Sequence, residues 1–128
     1  MDTRTKILTP FQADQRVREL LQSGGKVAAA WARFDPLTAD HGRGAGKLRA
    51  EADLLIILLA SDKTAACVCD EATRAQLAAA LEAVDLVLIC DEAEAAAASE
   101  QWASSLIDLE ASVARDVAAD VLRRHEDC

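Results

Sequence analysis

Two apolar runs flanking a polar, glycine-bearing loop limit what this chain can build. Lys26–Trp31 (KVAAAW) and Asp53–Ser61 (DLLIILLAS) have strand length and almost no polar positions. Strands that lack polar alternation are buried on both faces, which is the habit of parallel sheets. Between them lie the loop Arg33–Gly46 (RFDPLTADHGRGAG), with Pro36, Asp40, His41 and three glycines, and the helical continuation Lys47–Ala50 (KLRA). Strand, loop, helix and strand in this order make a parallel crossover. The loop between a buried strand and a helix start is where α/β proteins receive anionic ligands, because the free N–H groups of the first turn point outward there.

The rest of the chain continues the alternation. Pro10–Gln22 carries Phe11, Val17, Leu20 and Leu21 at helical spacing, with Thr9 as cap, Pro10 in the first turn and Gly24-Gly25 as the stop. A helix is expected over His41–Ala50, although Gly42, Gly44 and Gly46 could delay its start to Ala45. Another runs from Asp70 or Glu71 to Ala83, followed by the strand Leu86–Cys90. Asp91–Ser99 reads as a helix with carboxylates in its first turn. Ser105–Leu109 is a short fourth strand, and Leu109, Val113, Val117 and Val121 predict a last helix to about Arg124, with His125 at its end. The expected fold is α/β: a Rossmann-like three-layer sandwich, with a mainly parallel sheet of four or five strands in one domain over 1–128.

Charge and composition narrow the partners. The 128 residues carry a formal net charge of −8, which opposes nonspecific binding to nucleic acid or anionic membranes. Arg33, Arg43, Lys47 and Arg49 nevertheless gather around the loop, either as a phosphate-facing cluster or as a solvated, charge-balanced face. No apolar stretch approaches the twenty or so residues of a membrane span, and the N-terminus lacks an apolar signal core. A cytoplasmic protein is the expectation. Cys67, Cys69, Cys90 and Cys128 then read as free thiols. A redox or metal role for Cys67, Cys69 and Cys90 is the lesser alternative, since the spacing is wrong for a zinc knuckle and no histidine stands near.

The segment Phe34-Asp35-Pro36-Leu37-Thr38-Ala39-Asp40-His41 resembles the signature of nucleotidyltransferases with a H/T-x-G-H motif, the cytidylyltransferase-like superfamily. The likeness is closest to heptose-phosphate adenylyltransferase domains. It extends over Lys6-Ile7-Leu8, Gly24-Gly25-Lys26, Asp53–Asp62, Arg74, Ala79–Asp85 and Asp91-Glu92. The departures are Ala32 and Arg33 in place of a glycine and a small residue, Asp40 in place of the motif glycine, and no Lys-Gly-Gly segment. Ser112 with Arg115 is a poor match to the family's Ser/Thr-rich helix start.

The resemblance implies that a phosphorylated, sugar-type acceptor attacks the α-phosphorus of ATP or CTP, with Mg2+ accompanying the nucleotide and pyrophosphate leaving. His41, Thr38 and Lys47 would be the catalytic residues: the imidazole and hydroxyl as donors, the ammonium as neutraliser of pyrophosphate. Phe34, Asp35, Arg33, Ser61 and Arg74 would surround the nucleotide. The residues also admit plainer readings. Asp40 is preferred as the helix N-cap, Phe34 as core and Asp35 as a turn residue. For Arg74 an ion pair with Asp70 or Glu71 is preferred. Arg33 either blocks the nucleotide or contacts its phosphates. The alternative function is a noncatalytic interaction or regulatory module, with a homodimer left open.

Overall fold

The computed structural model describes residues 2–35, 37–63 and 69–111. Pro36, Cys67, Cys128, Ser112, Arg115, His125 and the expected last helix beyond its first residues, 109–111, lie outside them.

A 3-10 turn at Thr3–Lys6 precedes helix α1 (Pro10–Gln22). Strand β1 (Val27–Ala32), helix α2 (Ala39–Ala50) and strand β2 (Leu54–Ala60) form the first crossover. Helix α3 (Glu71–Ala79), strand β3 (Leu86–Cys90), helix α4 (Glu92–Gln101) and strand β4 (Leu106–Asp108) complete the order. The four strands make one all-parallel sheet, β3-β2-β1-β4. Ile7 adds an isolated parallel bridge to Val87 at the β3 side.

Alternation along the strands makes two cores. Val27, Ala29, Trp31, Ile56, Leu58 and Leu88 face Ala13 and Val17 of α1 and Ala95 of α4. Ala30, Ala32, Leu55, Ile57, Leu59 and Val87 face Ala45 of α2 and Ala75, Ala78 and Ala79 of α3. Every residue of β2 is buried, as a central parallel strand requires. The result is the Rossmann-like three-layer sandwich expected, with four strands among the described residues. Alanine fills much of β1.

Local chemistry sets the helix ends. Thr9 caps α1 in a reciprocal box with Gln12, and Gly24, at φ +85°, supplies the left-handed residue that stops it. Asp70 and Asp91 cap α3 and α4. Helix α2 corrects the expectation twice. It starts at Ala39, so its glycines do not delay it, and its cap is Thr38, not Asp40. Asp40 instead pairs with Arg43 one turn on. Gly44 has a packing reason: a Cβ there would stand 3.2 Å from Leu109 Cδ2, so the small residue lets the segment after β4 approach α2.

The strand order places a switch point between β1 and β4. From β1 the chain steps outward through β2 and β3, then returns through α4 to β1's other side. Ligands of open α/β sheets bind beyond the carboxyl ends of the strands at such a point.

Candidate functional site

Three donors converge at that switch point, and a carboxylate of the chain itself receives them. The backbone N–H groups of Arg33 and Phe34, just past the end of β1, donate to Glu110 Oε1 at 2.7 and 2.8 Å. His41 Nε2 lies 3.0 Å from Glu110 Oε2. Glu110 follows β4, and Asp108 orients its turn by accepting the N–H groups of Glu110 and Ala111 at 3.0 and 3.2 Å. The carboxylate thus spans the crevice between β1 and β4.

The other ring nitrogen of His41 is also engaged. Thr38 N–H donates to His41 Nδ1 at 3.0 Å, and Thr38 Oγ1 lies at the same distance. A backbone N–H can only donate, so Nδ1 is the acceptor and the ring carries its proton on Nε2, toward Glu110. This reciprocal box selects Thr38 over Asp40 as cap: the histidine at the third helical position reaches back to the cap's N–H as a glutamate would. His41 is 3% exposed and its ring meets Phe34 edge-on, with centroids 5.0 Å apart. Phe34 is core, as expected, but with φ at +53°, a conformation that side chains rarely adopt.

Arg74 fixes the other side of the β1 turn. It is fully buried, and its guanidinium donates from Nε to Cys69 O (3.0 Å), from Nη1 to Arg33 O (2.8 Å) and from Nη2 to Asp62 Oδ1 (3.0 Å). The expected pair with Asp70 or Glu71 is therefore corrected: the ion pair runs to Asp62, beyond β2. Asp35 holds the same loop, accepting Cys69 N–H at 2.9 Å. The Arg33 peptide is gripped twice, its N–H by Glu110 and its carbonyl by Arg74. Ser61 stands at the end of β2, its N–H donating to Cys90 O at 3.0 Å.

The basic cluster does not assemble at the crevice. Arg43 pairs with Asp40, and Arg49 pairs with Asp85 at 2.9 Å. Lys47 lies in the last turn of α2, exposed and six residues beyond His41, so it is not one turn away as the catalytic expectation required. A hollow of about 640 Å³ lies beside α2, lined by Gly42, Gly46, Arg49, Leu81 and Glu82 among others, and no expected site residue lines it.

Electrostatics at Glu110 favour its charged form. Burial pushes its carboxyl up, but the N–H of Phe34, the His41 ring and the N–H of Arg33 outweigh that and hold it below the ordinary 4.5. A carboxylate with a depressed folded value contributes stability above the unfolded value. That contribution is lost as pH falls from about 4.5 through the folded value. Urea midpoints of the wild type and Glu110→Gln, compared at about pH 7 and pH 3, test this. The difference between the two proteins is expected to shrink at the lower pH; an unchanged difference would contradict the assignment.

Of the three cysteines in the lesser alternative, Cys67 lies outside the described residues. No group of three His, Cys, Asp or Glu side chains among the described residues is arranged to hold a metal ion. Burial, then the charges of Glu94 and Asp91, pushes the Cys90 thiol up to about 12, so it stays protonated.

Sequence reasoning placed His41, Thr38, Arg33 and Phe34 in the loop after β1, offered Arg74 as a nucleotide contact while preferring a local ion pair for it, and missed Glu110. The signal was an acid two residues past a strand's end at the carboxyl edge of the sheet.

No family model and no curated protein matches the chain. Among solved structures, a lipopolysaccharide core biosynthesis protein from Thermoplasma volcanium resembles it, with a TM-score of 0.58 and 22% identity over 66% of this chain and 73% of that one. At this identity the likeness is one of fold, and it joins the sheet order in placing the chain among Rossmann-like α/β sandwiches.

Proposed function

We propose that this chain is a nucleotidyltransferase-type protein that works as a noncatalytic interaction or regulatory module, because its phosphate seat is closed by its own carboxylate. One observation carries the reading: His41, the motif residue that would donate to a phosphate, is buried and has both ring nitrogens bonded within the protein. The crevice in this arrangement does not fit a magnesium nucleotide. Glu110 stands where the triphosphate would meet the donors, and like unit charges about 4 Å apart repel by roughly 4 kcal/mol at a surface-like dielectric.

Pyrophosphate release from ATP and CTP with Mg2+ and a panel of sugar phosphates tests the reading. No turnover above background is expected, and none that His41→Ala abolishes. Turnover that disappears in that variant would sink it.

A second reading keeps nucleotide binding and transfer to a phosphorylated acceptor. It is favoured by the survival of the donor set itself: two backbone N–H groups and an Nε2–H still converge on one point. Calorimetric titration with ATP and CTP in the presence of Mg2+ decides it, and absence of heat at about millimolar nucleotide would end it.

A further inference from the structure

We propose that Glu110 is an internal stand-in for a ligand oxyanion, and that removing its carboxylate converts the β1–β4 crevice into a binding site for inorganic phosphate or pyrophosphate. The proposal rests on the reading of this crevice as a closed phosphate seat, and adds that the closure is a single side chain.

Four features support it. The donors come from two separate elements, the turn after β1 and helix α2, yet they address both oxygens of one carboxylate. Two of the donors are consecutive backbone N–H groups, and the second belongs to a residue at φ +53°. Successive N–H groups in such a turn form a concavity suited to anions. The donors have supports other than Glu110: Arg74 grips the Arg33 carbonyl, and Thr38 N–H holds Nδ1 of the His41 ring, leaving Nε2 toward the crevice. Glu110 is the more accessible partner, its side chain 28% exposed against 4% for His41, so it has a route to solvent that the donors lack. A phosphoryl group offers three oxygens to the same donors and carries more charge, so it suits the site better than a carboxylate.

The test is titration of the full chain, Glu110→Ala and Glu110→Gln with phosphate and, separately, with pyrophosphate. Calorimetry reads affinity, and the amide resonances of Arg33 and Phe34 and the ring of His41 read location. Either variant, if folded, is expected to bind at least one anion at least about tenfold more tightly than the wild type, with a Kd near or below about 1 mM. Addition of His41→Ala to that variant is expected to abolish the gain. A tighter anion that shifts Arg33, Phe34 and His41 supports the proposal, and which anion does so separates a single phosphoryl site from a diphosphate one. Wild-type affinity in folded variants, or shifts confined to other residues, overturns it. Failure of both variants to fold also overturns it, because Glu110 would then be a strut. Turnover by the wild type would sink the noncatalytic reading alone, whereas unimproved anion binding in folded variants would sink this proposal alone.

Discussion

Arg74→Ala is expected to destabilise the protein by about 3–5 kcal/mol. The cost does not come mainly from a lost ion pair, since Asp62 is partly exposed. It comes from two carbonyls, Arg33 O and Cys69 O, that lose their donor in a site sealed by a fully buried side chain. The thermal midpoint should fall by roughly 10–20 °C. Arg74→Lys should recover less than half of the loss, because an ammonium cannot span three acceptors set on three separate segments. Thermal and urea unfolding of the three proteins check this. A loss below about 1 kcal/mol in Arg74→Ala would show that the guanidinium bonds are dispensable.

Phe34 gives the second large effect, with an unusual order of severity. Truncation of a fully buried aromatic ring to alanine costs about 3–5 kcal/mol. Phe34→Gly removes one more carbon, so burial alone makes it worse. The backbone at φ +53° reverses that order, since glycine adopts this region without the roughly 1 kcal/mol that a Cβ incurs. Phe34→Gly is therefore expected to be no less stable than Phe34→Ala, and up to about 1 kcal/mol more stable. Equilibrium unfolding of the two variants settles the order. A glycine variant clearly weaker than the alanine one would mean that the left-handed turn stores no strain.

The parts of the fold that could be read from the chain are those set by local chemistry. Helix α1 begins and ends at the residues expected because Thr9, Pro10 and Gly24 act within a few positions of themselves. β2 and β3 follow from uninterrupted apolar runs. Where two local signals competed, the outcome depended on a third residue. Thr38 and Asp40 are both good caps, and the choice was made by His41, whose Nδ1 answers the Thr38 N–H. The glycines of α2 look like helix breakers by propensity, but one of them makes room for Leu109, a contact that only the tertiary fold creates.

The candidate site was half legible for the same reason. The loop residues near β1 share a motif, so they could be found together. Their partners come from far along the chain: Glu110 meets Phe34 across 76 positions and His41 across 69, and Arg74 meets Arg33 across 41. The Glu110 meetings depend on β4 lying beside β1, and the Arg74 meeting on α3 packing past the end of β1, neither of which spacing alone dictates. Lys47 lies six residues, nearly two turns, beyond His41 in α2, a spacing the sequence itself fixes once both stand in one helix.

One small device after β2 has an engineering consequence. Asp62 and Glu71 exchange bonds, each N–H donating to the other's carboxylate at 3.2 and 3.1 Å. This reciprocal clasp ties the two ends of the connection between β2 and α3 to each other. A foreign peptide spliced in after Lys63 would start and finish at fixed anchors, and doubling the span of such a tether adds only about 0.6 kcal/mol of closure entropy. A grafted epitope or reporter tag at this point is expected to leave the sandwich folded.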